Sequence, residues 1–190
     1  TQDTVHDIIG SDEARGWEHQ LENEPGLALT FQRNWRLAEG ESDAGWGWDF
    51  IPHLGATVGN VAVFANAGAG LRFGYHVPED FGTGLVRPAG NVSAPADPSD
   101  PRISKRKDFG VYGFIRAEGR AVARDLFLDG NTWEDSHSVD SKPFVGDVSV
   151  GIAFVYKALK LTYSHVYRTE TFEQQEDAQT FGSISLSFTY

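Results

Sequence analysis

The chain has no Cys, so any nucleophilic or acid–base chemistry falls to its six His, its carboxylates and its hydroxyls. His6 lies on a short segment whose apolar positions Val5, Ile8 and Ile9 suit a helical turn, broken at Gly10-Ser11. An imidazole is the natural base near pH 7, although a lone His on a short helix is more often structural or solvated. Asp12 follows at a position where it or Ser11 could cap a second helix. His19 reads as a surface helix residue, and His53 and His165 fall on strands as lumen or interface residues. Asp135-Ser136-His137 contains the residue types of a hydrolase triad, but adjacent residues point apart and triads are built from spatial neighbours. Asp129-Gly130-Asn131 fails the spacing of a helix–loop–helix calcium site and reads as a turn. Arg116, Glu118 and Arg120 alternate on one face of a strand, with Arg124 further on. Three such charges are costly in a dry core and natural in a wet or ion-paired lumen, so Arg116, Glu118, Arg120 and Arg124 are expected to form a bracing charge ladder there, with substrate binding as the alternative.

The elements that must carry these residues are mostly strands. Leu27, Leu29 and Phe31 alternate with Ala28, Thr30 and Gln32, in a segment that runs on to Leu37. Trp48, Phe50, Pro52, Leu54, Ala56 and Val58 alternate with Asp49, His53 and Thr57. After a tight turn at Gly59-Asn60, Val63, Ala65, Ala67, Ala69, Leu71, Phe73 and Tyr75 form one unbroken apolar row opposite Asn66, Arg72 and several Gly. That row outruns a typical soluble strand and is long enough to cross a bilayer when tilted. Further strands are expected from Phe109 to about Val122, over Val148–Tyr156, over Leu161–Tyr167 and over Ser183–Tyr190. In the last, Ile184, Leu186, Phe188 and Tyr190 oppose Ser183, Ser185, Ser187 and Thr189, a strict period of two ending on an aromatic. Long polar connections separate some of these strands. The first spans 76–107 and holds Pro78, Pro88, Pro95, Pro98 and Pro101 before Lys105-Arg106-Lys107, a solvated cluster; the others span 129–142 and 169–180.

Sixteen basic against 27 acidic residues give a formal charge of −11, which argues against a nucleic-acid partner. No apolar run reaches the length of a transmembrane helix, a test that a barrel escapes because only alternate residues need be apolar. Thr1-Gln2-Asp3 does not read as a secretory leader. The expected fold is therefore all-β, an antiparallel transmembrane β-barrel of outer-membrane type: one domain over 1–190, with a helical rim segment at 1–26 and about seven strands over 27–190. Bacterial barrels carry an even number of strands, so an N-terminal part, including the partner of the closing strand, is expected outside these 190 residues. With Tyr190 on the periplasmic side, residues before Leu27 fall at the extracellular rim and the 76–107 connection is periplasmic.

Several strings resemble the lipid A 3′-O-deacylase family of Gram-negative outer membranes: Val5-His6-Asp7-Ile8-Ile9-Gly10, Gly16-Trp17-Glu18-His19-Gln20-Leu21-Glu22-Asn23-Glu24-Pro25, Ile51-Pro52-His53-Leu54-Gly55-Ala56-Thr57-Val58-Gly59-Asn60, Glu118-Gly119-Arg120-Ala121-Val122-Ala123-Arg124 and Phe127-Leu128-Asp129-Gly130-Asn131. The resemblance spans essentially the whole chain. It implies an outer-membrane hydrolase that removes the 3′-linked acyloxyacyl group of lipid A in a calcium-dependent reaction, with lipopolysaccharide and outer-membrane lipids as its partners. The family's catalytic His, in a His-x-x-(Ile/Leu)-Gly motif ahead of Gly-Trp, falls on His6. Asp12 becomes a candidate calcium ligand, with a helix cap as the plainer alternative. The family's N-terminal Asn-Asp pair has no counterpart here, so this chain is expected to be inactive in isolation. Two other functions stay open from the sequence: a non-enzymatic porin-like or structural barrel, and a soluble barrel binding an apolar ligand.

Overall fold

The computed structural model describes residues 20–82, 84 and 107–188. Its strands are β1 (Ala28–Asn34), β2 (Ala38–Glu41), β3 (Trp46–Gly59), β4 (Ala62–Tyr75), β5 (Phe109–Asp125), β6 (Phe144–Tyr156), β7 (Leu159–Arg168) and β8 (Gln179–Phe188), with one short helix, α1 (Leu126–Asp129), between β5 and β6. All neighbours pair antiparallel in the order β1-β3-β4-β5-β6-β7-β8, and β2 also pairs with β3. This is a meander of hairpins, the pattern of an up-and-down barrel wall. Among the described residues β1 and β8 are not paired with each other, so the wall is open there.

The seven expected strands become eight because the first is interrupted. β1 and β2 lie end to end along β3, and the hydrogen bonds Trp35 N–H to Pro52 O (3.0 Å) and Leu37 N–H to Phe50 O (3.1 Å) bridge the gap. The Pro52 carbonyl faces this first ribbon, and in an antiparallel ladder its nitrogen faces the same way. Having no N–H, Pro52 cannot answer Trp35, and the ladder breaks at that residue.

The alternation read from the sequence sorts the two faces. Leu29, Phe31, Trp46, Trp48, Leu54, Val58, Leu71, Phe73, Ile115, Val148, Val150, Ile152, Leu161, Ile184 and Leu186 are all exposed on the outer face. Aromatics cluster at the strand ends: Trp46 stacks on Phe73 at 5.5 Å and meets Tyr75 edge-on at 6.2 Å, with Phe109, Tyr156 and Phe188 at the same end. A continuous apolar wall of this size is a liability in water and the normal surface of a strand bundle in lipid. The described parts of β3 to β6, 13 to 17 residues each, are long enough to cross a tilted bilayer path.

Asp49, His53, Thr57, Asn66, Arg72, Glu118, Asp147, Ser149 and Thr162 are buried on the inner face. A small apolar core sits among them, where Tyr112, Ala153 and Val155 pack with Val77 and Phe114. Two ends are distinct. The rim end gathers residues 20–27, the turn after β3, α1 and the connections 130–143 and 169–178; the opposite end gathers the 42–45 turn, residues 76–82 and the 157–158 turn.

Candidate functional site at the rim end

The inner face is built in layers of paired charge, starting from the opposite end. Asp49 and Arg72 are direct cross-strand partners, and Arg72 donates Nε to Oδ1 at 2.9 Å and Nη2 to Oδ2 at 2.5 Å, the two-pronged geometry that suits a guanidinium on a carboxylate. Asp80, from the segment after β4, reaches in between Arg72 (2.5 Å) and Lys160 (2.6 Å), and its carboxylate also accepts the Gly82 N–H at 2.9 Å. Burial alone would raise the Asp80 carboxyl; the charges of Lys160 and Arg72, with the Lys160 and Gly82 hydrogen bonds, outweigh it and bring it down to about 2. Arg36 donates to the Asp80 backbone oxygen at 2.6 Å. The connection after β4, expected as a loop outside the barrel, therefore begins by folding residues 76–82 onto the inner face.

In the next layer His53 reaches across β4 to Glu118 on β5 at 2.7 Å, both side chains fully buried. The residue it passes over is Gly68, the register partner of both. A Cβ there would fall 2.3 Å from the Ala117 carbonyl oxygen and 2.6 Å from the His53 ring, so only Gly permits the contact. Asn66 donates to the same Glu118 oxygen at 3.0 Å. Arg116 approaches His53 Nδ1 at 3.4 Å; a guanidinium can only donate, so Nδ1 accepts and the proton on Nε2 points at Glu118. The layer nearest the rim sets Asp147 between Arg120 (3.0 Å) and Arg168 (2.6 Å). Three members of the expected ladder, Arg116, Glu118 and Arg120, thus line the inner face; their partners His53 and Asp147 come from other strands, and Arg168 completes the Asp147 pair.

Arg124 does something different. Its Nε donates to Asn60 O at 3.2 Å and its Nη2 to Gly130 O and Thr132 Oγ1, both at 3.0 Å. It joins a clasp that ties residues 22–27 to the rim. Asn60 accepts the Leu27 N–H at 2.6 Å and donates to Glu24 Oε1 (2.9 Å) and Pro25 O (2.8 Å). Asn131 accepts the Glu22 N–H at 3.0 Å and returns its amide to Glu22 O at 2.9 Å and Glu24 Oε2 at 3.0 Å. Glu24 completes the set by accepting the Thr132 N–H at 2.7 Å and its hydroxyl at 3.0 Å. The Thr132 backbone hydrogen bond holds the Glu24 carboxyl below its ordinary range against the opposing effect of desolvation, helped by the Asn131, Thr132 and Asn60 side chains.

His6, Asp12 and His19 lie outside the described residues. The clasp holds residues 22–27, the described stretch that follows them in sequence, at the rim end. His53 is a lumen residue, whereas His165 is exposed on the outer face beside Tyr163 and Tyr167. Within Asp135-Ser136-His137, Ser136 Oγ accepts the Asn131 N–H at 2.8 Å and so braces the turn after α1. Asp129-Gly130-Asn131 ends α1 as a turn, with Gly130 at φ 82°. Asp129 accepts Ser141 Oγ at 2.8 Å and the Asp125 N–H at 2.7 Å. No group of three or more His, Asp or Glu among the described residues could hold a metal, and the Glu24 and Asp129 oxygens are already engaged, so these residues alone do not form a calcium cage. The clasp residues were not anticipated; the one local signal was Asn60 after Gly59, read only as a turn.

An apolar outer wall, aromatic strand ends and a charge-paired inner face define an outer-membrane β-barrel protein, and the outer membrane is where the chain resides. The family model described as outer membrane protein LpxR matches residues 1–190, and the chain belongs to that family. LpxR from Salmonella typhimurium shares the fold, with a TM-score of 0.78 at 20% sequence identity; the match covers 100% of this chain and 60% of that one. This chain thus spans about 60% of the length of that relative. No curated protein matches it.

Proposed function

We propose that the protein carrying this chain is an outer-membrane hydrolase that removes the 3′-linked acyloxyacyl group from lipid A, with His6 as the base. The observation that supports the reading is the clasp, which holds residues 22–27, the described stretch that follows His6 in sequence, at one end of a lipid-facing wall. On this reading the rim end is extracellular, at the height of the outer-leaflet head groups, and β1 and β8 pair with further strands of the closed barrel. His6 takes a proton from water as its oxygen adds to the 3′ ester carbonyl. Collapse breaks the bond to the sugar oxygen, which receives the proton, releasing the fatty acid and a free 3′ hydroxyl. Calcium, with Asp12 among its ligands, would supply positive charge for the developing oxyanion when bound.

The charge-filled inner face and the inward 76–82 segment are unlike the open channel of a porin. The test uses the natural full-length protein with lipid A in mixed micelles, followed by mass spectrometry. Loss of the 3′ acyloxyacyl mass is expected with calcium and not with a chelator. His6→Ala should slow it by about 10²–10⁴-fold, the range of general-base contributions, and Asp12→Asn should raise the calcium requirement. Equal product from wild type and His6→Ala would remove His6 from the role.

A further inference from the structure

We infer that Glu24 and Asn131 are positioning residues for this hydrolysis, anchoring residues 22–27, which follow His6 in sequence, at the rim without touching substrate; the inference rests on the function proposed above. Each Glu24 oxygen accepts two donors, Asn60 Nδ2 and Thr132 Oγ1 on one, Asn131 Nδ2 and the Thr132 N–H on the other. Asn131 presents its side-chain amide to both the N–H and the carbonyl of Glu22, the pairing that a neighbouring strand would offer. Three parts remote in sequence therefore meet at one carboxylate: the chain after residue 20, the turn between β3 and β4, and the turn after α1.

The folding of the wall does not need this meeting. The β3–β4 hairpin is held by a continuous ladder, and β5 is paired along its length with β4 and β6. What the clasp adds is a fixed attachment of residues 22–27 to the rim. Misplacing a catalytic group by about 1 Å can cost on the order of 10²-fold in rate, so such a fixture acts on turnover rather than on substrate affinity.

The experiment uses the full-length protein. Glu24→Ala and Asn131→Ala are expected to lower kcat on lipid A by about tenfold or more while KM stays within about twofold. Resistance to urea unfolding should match wild type. Glu24→Gln, which keeps one accepting oxygen, should recover part of the loss, and it carries the test if Glu24→Ala fails to fold. A second readout does not depend on turnover: these 190 residues contain no Cys, so, with any Cys elsewhere in the full-length protein replaced, nitroxide labels at Gln20→Cys and Thr180→Cys report the distance from residue 20 to the wall. That distribution should be narrow in wild type and broad in both Ala variants. An active wild type with unchanged kcat in the variants, or an unchanged distance distribution, would overturn the positioning role alone. A wild type that does not deacylate lipid A would overturn the proposed function and the role of the clasp with it.

Discussion

The inner face of the barrel wall and the clasp at its rim are both polar networks, yet they are built on opposite terms. Inside, Asp49, His53, Arg72, Glu118 and Asp147 are almost fully buried, and each charge is satisfied by partners one or two strands away in fixed register. At the rim, most of the clasp hydrogen bonds lie at exposed or half-exposed groups, and the contacts of residues 22–27 join segments 33 to 109 residues apart rather than paired strands. A buried charge whose partner is removed costs far more than the pair ever contributed, whereas a solvated hydrogen bond is replaced by water at little cost. The first network therefore locks the wall, and the second sets the placement of what hangs from it.

The largest expected effect is at the lumen pair. Arg72→Ala leaves Asp49 and Asp80 without their shared guanidinium and should destabilise the barrel by about 3–5 kcal/mol, measured by urea unfolding in lipid vesicles. A loss no greater than that of a rim variant would erase the distinction between the two networks. Gly68→Ala comes next: the added methyl meets the Ala117 carbonyl and the His53 ring, for a loss of about 1–3 kcal/mol typical of overpacking. Glu24→Ala should cost less stability than either, with urea resistance like that of wild type, while exceeding Gly68→Ala in its effect on kcat, a reversal of order that sharpens the comparison. The smallest effect is at Lys142, whose ion pair with Glu170 is half-exposed and screened by solvent; Lys142→Ala should leave the unfolding curve nearly unchanged.

Acidity separates the regions further. Asp80 has a folded pKa below its unfolded one, so its contribution is fully present above the ordinary carboxylate value and is lost only as the pH falls through about 2. Glu24 is also lowered, so the clasp is complete at neutral pH and weakens as the pH falls below the ordinary Glu value. Lys142 runs the other way: its pKa is raised by Glu170, and its small contribution disappears only at high pH. Label distances at Gln20 and Thr180, followed with unfolding midpoints from pH 7 to pH 3, should show the clasp broadening in acid while the Asp80 latch holds.

How much of this was legible in the sequence depends on range. Period-two alternation marked the strands, and the row from Val63 to Tyr75 is the outward face of β4 except near its rim end, where a bulge between Val63 and Phe64 shifts the register. Arg116, Glu118 and Arg120 announced a wet inner face because three charges at that spacing have no other home. Their partners were not legible, because pairing His53 with Glu118 across Gly68 requires the register of three strands at once. The break between β1 and β2 had a visible cause in Pro52, although the sequence does not say which neighbour its missing N–H faces. Helix α1 was missed inside an apolar run, and its one signal was Asp125, whose side chain accepts the Phe127 N–H as an N-cap. Glu24 and Asn131 lay inside the family-like strings and were passed over, since a carboxylate and an amide over 100 residues apart give no local sign of meeting.

The most direct test of the account is the mass of lipid A extracted from outer membranes of cells making the full-length protein. Cells with the wild type should yield lipid A lighter by the 3′ acyloxyacyl group, and cells with His6→Ala at equal barrel abundance should yield unaltered lipid A. Unaltered lipid A with both proteins, or equal shortening with both, would contradict it.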